Sequence, residues 1–171
     1  MKTPEMEQAL WAHWSRKGEK VMCLNVSWGM FNHECDMLVL NKDNTFTEVE
    51  IKVSKADLKK DSKKSHGHKD YRNRIHKLYF AIPEAMESED VFALIPERAG
   101  IMVVYGTHPR TYITIRRQAK PQLIGNKPYV ATEKEIRKLA YLMQFRFWRE
   151  RIRANALNEK VKNKSQIKLS I

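Results

Sequence analysis

The stretch FTEVEIKVSKADLKKD, residues 46–61, decides how the chain is read. Its first half alternates: Val49, Ile51 and Val53 fall on one side of an extended strand, and Glu48, Glu50 and Lys52 on the other. Its second half changes period, and Ser54 with Asp57 forms an S-x-x-D pattern that opens a helix. Three charges along one strand face are either a solvated face or an active site. The flanking sequence has to separate the two.

Upstream, HECDMLVL (33–40) reads as a strand, and NKDN (41–44) as a turn built from turn-forming residues. If Asn41 and Thr45 close a three-residue loop, Asn44 takes the left-handed position that this loop requires. That register sets Asp36 directly opposite Glu50. Like charges facing each other across a sheet are unfavourable, so the pair makes sense with a cation between them. Lys52 points to the same face. Two carboxylates and a lysine converging on one point suit a hard divalent ion, Mg²⁺ or Mn²⁺, with an activated water. Neither Asp36 nor Lys52 reads as a core residue.

The rest of the chain supplies the frame. Thr3 to about Arg16 reads as a helix, with Thr3 as N-cap, Pro4 at its first position and Met6, Leu10 and Trp14 on one face; Lys17-Gly18 ends it. VMCLNVSW (21–28) is a first strand. After the helix at Ser54, SHGH interrupts, and a second helical stretch runs through Tyr71 and Ile75. KLYFAIP (77–83) is a strand stopped by proline, followed by a connection with one short helix over Val91 to Ile95. IMVVYG and TYITIRR are two further strands. A long helix runs from Thr132 to about Ala154, with Ile136, Leu139, Ala140, Met143 and Phe147 on one stripe. The expected organisation is one α/β domain over residues 1–154, in the order α-β-β-β-α-β and then β-β-α. A basic, frayed tail follows over 155–171.

Here the residues reach a family. Asp36 on one strand and Glu50-Ile51-Lys52 on the next resemble the PD-(D/E)XK nuclease superfamily, whose restriction-endonuclease-like core is a central mixed sheet flanked by helices. EIKVSKADLKKDSK with the later LYFAIP and ERAGIMVV is similar to the MmcB-like DNA repair nucleases, over roughly residues 33 to 120. The proline that often precedes the first acid is absent, since Glu34-Cys35 stand before Asp36. The resemblance implies a metal-dependent DNA nuclease. Asp36 and Glu50 would be ligands, with the Ile51 carbonyl as a third. Lys52 would orient or deprotonate the attacking water, or stabilise the charge that develops on phosphorus. It also implies a glutamate from the first helix: Glu7, with Glu5 as the alternative.

Composition points to the same class of partner. Lys and Arg number 32 against 20 Asp and Glu, a formal charge of +12, which favours an anionic partner, nucleic acid or a membrane surface; Glu133, Glu135 and Glu150 on the last helix fit the membrane less well, and the resemblance implies DNA. Residues 52–77 carry ten Lys or Arg against three Asp, and residues 137–164 carry nine against two Glu. Candidate phosphate contacts are Lys55, Lys59, Lys60, Lys63, Lys64, Arg72 and Arg74 from the first run, and Arg146, Arg149 and Arg153 from the second. The hydrophobic fraction, 42%, is enough for a core. No apolar run approaches a membrane span and the N-terminus lacks a signal-peptide core, so a cytoplasmic protein is expected, with room for a homodimer. Cys23 and Cys35 lack the spacing of a zinc or disulfide framework. His66 and His68 in SHGH read as a solvated loop. Trp11, Trp14 and Trp28 could stack on bases, with Trp14 better placed for the core. Two rivals stand: a nuclease fold kept for nucleic-acid binding with weak or no catalysis, and a basic binding protein with no site.

Overall fold

Asn41 and Thr45 do close the hairpin: the Asn41 amide donates to the Thr45 carbonyl at 2.9 Å, and Asn44 sits at φ 63°. The computed structural model describes residues 1–18, 21–26, 34–62, 74–107 and 109–169. After helix α1 (Thr3–Lys17) come strands β1 (Val21–Val26), β2 (Cys35–Leu40) and β3 (Phe46–Ile51). They form an antiparallel meander, with Met37 opposite Val49 and Leu38 opposite Glu48. One step further, the same register brings Asp36 opposite Glu50, as the turn chemistry requires.

Helix α2 (Lys55–Ser62) then opens where expected: the Asp57 amide donates to Ser54 Oγ at 3.2 Å. It leads towards β4 (Ile75–Pro83), which lies parallel to β3. A 3₁₀ turn (Glu84–Met86) and helix α3 (Glu89–Phe92) connect to β5 (Gly100–Thr107), parallel to β4; β6 (Arg110–Arg117) returns antiparallel. The result is one six-stranded mixed sheet in sequential order. With its flanking helices, including α4 (Glu133–Leu169), it is an α/β restriction-endonuclease-like core.

Several boundaries differ from the sequence reading. The α1 N-cap is Lys2 rather than Thr3, because the Glu5 carboxylate turns back to accept the Lys2 amide at 2.6 Å. Ile75 starts β4 instead of continuing a helix: it is buried and pairs with Phe46. The short helix begins at Glu89 rather than Val91, since Ser88 caps it by accepting the Val91 amide. The long helix does not stop near Ala154; its backbone is helical to Leu169, over a segment without Gly or Pro to break it. Its packed stripe is Ile136, Leu139 and Leu142, while Ala140, Met143 and Phe147 face solvent. Trp28, Lys63, Lys64, His66, His68, Tyr71 and Arg72 lie outside the described residues.

Each face of the sheet is covered differently. On one face, Met6, Ala9, Leu10 and Trp14 of α1 pack on Val39, Val49, Ile51, Tyr79 and Met102. On the other, α4 brings Leu139 to Leu38, Leu40 and Phe46, while α2 and the α3 region bring Leu58 and Val91 to Leu78, Phe80 and Ile82. Leu38 pairs with Glu48, and Glu48 and Glu50 pair in turn with Leu78 and Phe80. The two glutamates of β3 therefore lie at the seam between these two apolar clusters. No helix among the described residues is long and apolar enough to cross a membrane.

Candidate active site

The charged face of β3 is not solvated. Glu48 is 0% exposed, and Glu50 and Lys52 are 6% each, so the solvated-face reading fails. So does the expectation that Lys52 stands apart from the core. Lys52 Nζ donates to Glu50 Oε2 at 2.8 Å. The Lys52 amide donates to the Ala81 carbonyl at 3.0 Å, which fixes this residue's backbone against β4 just beyond the last strand pair.

Asp36 reaches across the hairpin from β2 and is half-buried; its Oδ2 accepts the Ile51 amide at 2.8 Å. Asp36, Glu50 and Lys52 thus meet at the C-terminal end of β3, where the chain leaves the sheet for α2. Glu7 approaches from α1: burial, and next the negative charge of Asp36, raise its carboxyl above the usual range. Glu5 does not join them, because it caps the start of α1.

The electrostatics follow from crowding carboxylates where water is excluded. Glu50 is pushed from 4.5 to about 8, first by burial and then by the charge of Glu48; Lys52 pulls it back, and Asp36 adds to the rise. The Cys35 thiol is raised first by burial, then by the charge of Glu48 and its bond to Glu48, with the charges of Glu50 and Asp36 adding to this. The sequence reading puts Glu48 on this face but gives it no role in the site. The D…ExK pattern has no place for it, although its parity with Glu50 along the strand was the available signal.

Hard oxygen donors surrounded by surplus buried negative charge fit a divalent cation such as Mg²⁺ or Mn²⁺. Asp36, Glu50 and the Ile51 carbonyl are the oxygens that the sequence reading names for such an ion. Among the described residues, no group of three or more His, Cys, Asp or Glu side chains is close enough together to hold a metal ion by itself. Main-chain oxygen and water would have to complete the shell.

The basic residues divide by what they touch. Lys59 and Lys60 are exposed on α2, and Lys55 meets Asp90 at 3.4 Å on the surface. Arg74 is tied to Glu135 at 3.3 Å and stacks over Tyr129, which joins the start of β4 to the start of α4. Arg146 docks α4 on β1, donating to the Asn25 carbonyl and, at 3.5 Å, to Cys23 Sγ. Both have structural partners that charge counting does not reveal. Arg149 and Arg153 are exposed and share Glu150, at 3.8 and 2.9 Å.

A family model for the MmcB-like DNA repair proteins matches residues 21–126, which contain Asp36, Glu50 and Lys52. The chain belongs to the MmcB-like DNA repair family. Among solved structures, it is similar to the SPO1766 protein of unknown function from Silicibacter pomeroyi. Identity is 18%, the TM-score is 0.65, and the match covers 88% of this chain and 92% of that one; this likeness speaks for the fold. No curated protein matches the chain significantly. Membership of the family makes this a nuclease-fold protein connected with DNA repair. Helices α1 and α4, and with them Glu7 and Arg149, lie outside the matched segment.

Proposed function

We propose that the protein is a metal-dependent nuclease that hydrolyses DNA phosphodiester bonds in repair, recombination or replication. The observation that carries this reading is the burial of Glu50 and Lys52 as a 2.8 Å ion pair beside Asp36 and Glu48, at an interruption in an otherwise apolar sheet face. Asp36 and Glu50 would hold the Mg²⁺ or Mn²⁺ ion, which when bound supplies Lewis-acid stabilisation of phosphate charge and a more acidic water. Lys52, fixed by its backbone bond to Ala81, orients the attacking water or donates to the phosphoryl oxygen as negative charge grows there. Glu7 adds a carboxylate from the opposite side. Lys59 and Lys60, exposed on α2, would hold the phosphates next to the site.

The test is cleavage of labelled duplexes, forks, flaps and single strands in Mg²⁺ and in Mn²⁺. The wild-type chain should cut at least one of them, and Asp36→Ala, Glu50→Gln and Lys52→Ala should cut none. Undiminished metal-dependent cleavage by Lys52→Ala would sink the assignment. A wild-type chain that binds DNA and cuts nothing in the panel would favour the catalytically inactive binding module instead.

A further inference from the structure

Helix α4 leaves a second surface unexplained. Its inner face is used: Leu139 is buried, Ile136 and Leu142 pack beside it, and Arg146 is bonded to β1. On the opposite side stand Tyr141, Phe145, Trp148 and Ile152, with 64%, 56%, 53% and 65% of their surface exposed. Their spacing of four, three and four residues puts them in one line along a helix of about 3.6 residues per turn. Singly exposed apolar residues need no explanation, but a line of three aromatic rings and an isoleucine does.

We propose that this outward face of α4 is a stacking platform for single-stranded DNA. The proposal rests on the reading of the protein as a DNA enzyme and names the form of DNA it takes. Charge decides the occupant. At about 100° per residue, Lys134, Arg137, Lys138 and Arg149 share the half of the helix that carries the rings, while Glu135 and Glu150 lie on the other half. Two of these cations have acid neighbours, Arg137 with Glu133 at 2.6 Å and Arg149 with Glu150 at 3.8 Å, but both pairs are solvent-exposed and weak, and the acids stand at the edge of the ring-bearing half or beyond it. A second copy of the same face would set lysine and arginine against lysine and arginine. A polyanion with exposed aromatic bases matches both the rings and the cations.

Geometry narrows the choice to unpaired bases. The Tyr141 and Phe145 rings lie 6.5 Å apart and 24° from parallel. That is the centre-to-centre separation of a directly interacting ring pair, so the two faces are presented in nearly one orientation, on which an unpaired base can stack. A duplex offers base edges in its grooves and keeps its base faces covered. The platform also leads towards the candidate site. A cleft of about 460 Å³ beside α4 is lined by Tyr141, Phe145 and Arg149 on one side and by Asn25 and Glu34 on the other. Glu34 stands two residues before Asp36. Its carboxylate makes that end of the cleft less favourable for phosphate, so the cleft suits a base better than a backbone.

The experiment is anisotropy of a short labelled oligo-dT and of a blunt duplex, measured in chelator so that no cleavage or metal enters. Phe145→Ala or Trp148→Ala should weaken oligo-dT binding about 5- to 100-fold, leave duplex binding unchanged and leave the salt slope unchanged. Arg149→Ala should lower the slope by about 0.7 instead. Trp148→Phe should restore most of the affinity. All these side chains are exposed, so folding is not at stake. Wild-type affinity for oligo-dT in the ring variants overturns the proposal. So does equal loss on duplex and oligo-dT, or a wild-type dimer that the ring variants dissolve into monomers with oligo-dT affinity intact. A chain that depends on Trp148 for oligo-dT but cuts nothing with Mn²⁺ overturns the nuclease reading alone. A chain that cuts DNA while its ring variants bind normally overturns the platform alone.

Discussion

Replacing Lys52 by Met isolates the buried ion pair. Methionine keeps much of the lysine stem and deletes the ammonium. With Nζ and Oε2 2.8 Å apart and both side chains almost closed to solvent, the exposed-pair value of a few tenths of a kcal/mol does not apply. Removing one partner of a buried pair leaves the other charge stranded, at about 3–5 kcal/mol. At about 2–4 °C of Tm per kcal/mol for a domain of this size, the variant should melt up to about 6–20 °C lower at a pH where Glu50 is ionised.

The size of the loss depends on pH, and the sign can be worked out. The Glu50 carboxyl is raised from 4.5 to about 8 in the folded state. A raised acid stabilises fully below its unfolded value, and that contribution disappears as pH climbs through the folded value. Below about 8 Glu50 takes up a proton, and deleting Lys52 strands no anion. Above it, the wild-type pair is ionised, whereas the variant has lost the Lys52 charge that lowers Glu50 and must keep a proton on the carboxyl or bury a bare anion, and either costs stability that the wild type retains. Thermal melts at about pH 6 and about pH 9 should therefore show a small shift at the first and a large one at the second. Equal shifts at both, or none at either, would refute the reasoning and return Lys52 to an ordinary solvated role.

Four further outcomes follow from the same geometry. Mg²⁺ should raise the melting temperature of the wild type more above about pH 8 than below it, because proton and cation compete for Glu50, and Asp36→Asn should remove the effect; calorimetric titration across pH checks this. Glu48→Gln removes the second-largest cause of the Glu50 rise, so the pH midpoint for Mg²⁺ binding should move to lower pH, and an unmoved midpoint would show that Glu48 does not act on Glu50. Leu139→Ala should cost about 2–5 kcal/mol in urea unfolding, since Leu139 is the buried centre of the contact between α4 and the sheet. Gly100→Ala should cost about 1–3 kcal/mol in the same assay, because a Cβ there would lie 2.3 Å from the Tyr79 ring and 2.7 Å from the Ala119 amide.

Local features of the chain were legible because their causes are local. The Asn41–Thr45 loop, the left-handed Asn44 and the strict two-residue period fix the hairpin register, and with it the approach of Asp36 to Glu50. The Ser54 cap and the α1 stripe of Met6, Leu10 and Trp14 belong to the same class. The burial of Glu48, Glu50 and Lys52 was not legible, because the face is closed by α4, which starts more than eighty residues later, and by α2 and the α3 region. The packed stripe of α4 failed for a different reason. Residues 141–148 include Tyr, Leu, Met, Phe, Phe and Trp on several sides of the helix, so periodicity cannot select which side meets the sheet. Arg74 and Arg146 show the limit of counting charges: their partners, Glu135 and the Asn25 carbonyl, are set by tertiary contact.

The seam in the sheet carries an argument independent of any motif. Leu38, Leu40 and Phe46 on one side and Leu78, Phe80 and Ile82 on the other could be joined by apolar residues into one continuous core. Buried ion pairs replaced by well-packed hydrophobic residues are often neutral or stabilising by about 1–4 kcal/mol. Glu48, Glu50 and Lys52 therefore do not improve the fold; a sheet selected for stability alone would have leucine or valine there. The cost falls on Glu50, whose ionisation is opposed by burial and by the charge of Glu48 and is only partly offset by Lys52. A bound divalent ion would turn that liability into binding energy, as the same repulsion that destabilises the empty cluster favours the cation. The arrangement is thus expensive as architecture and useful as a ligand set, and this asymmetry supports the nuclease reading over a fold retained only for binding DNA.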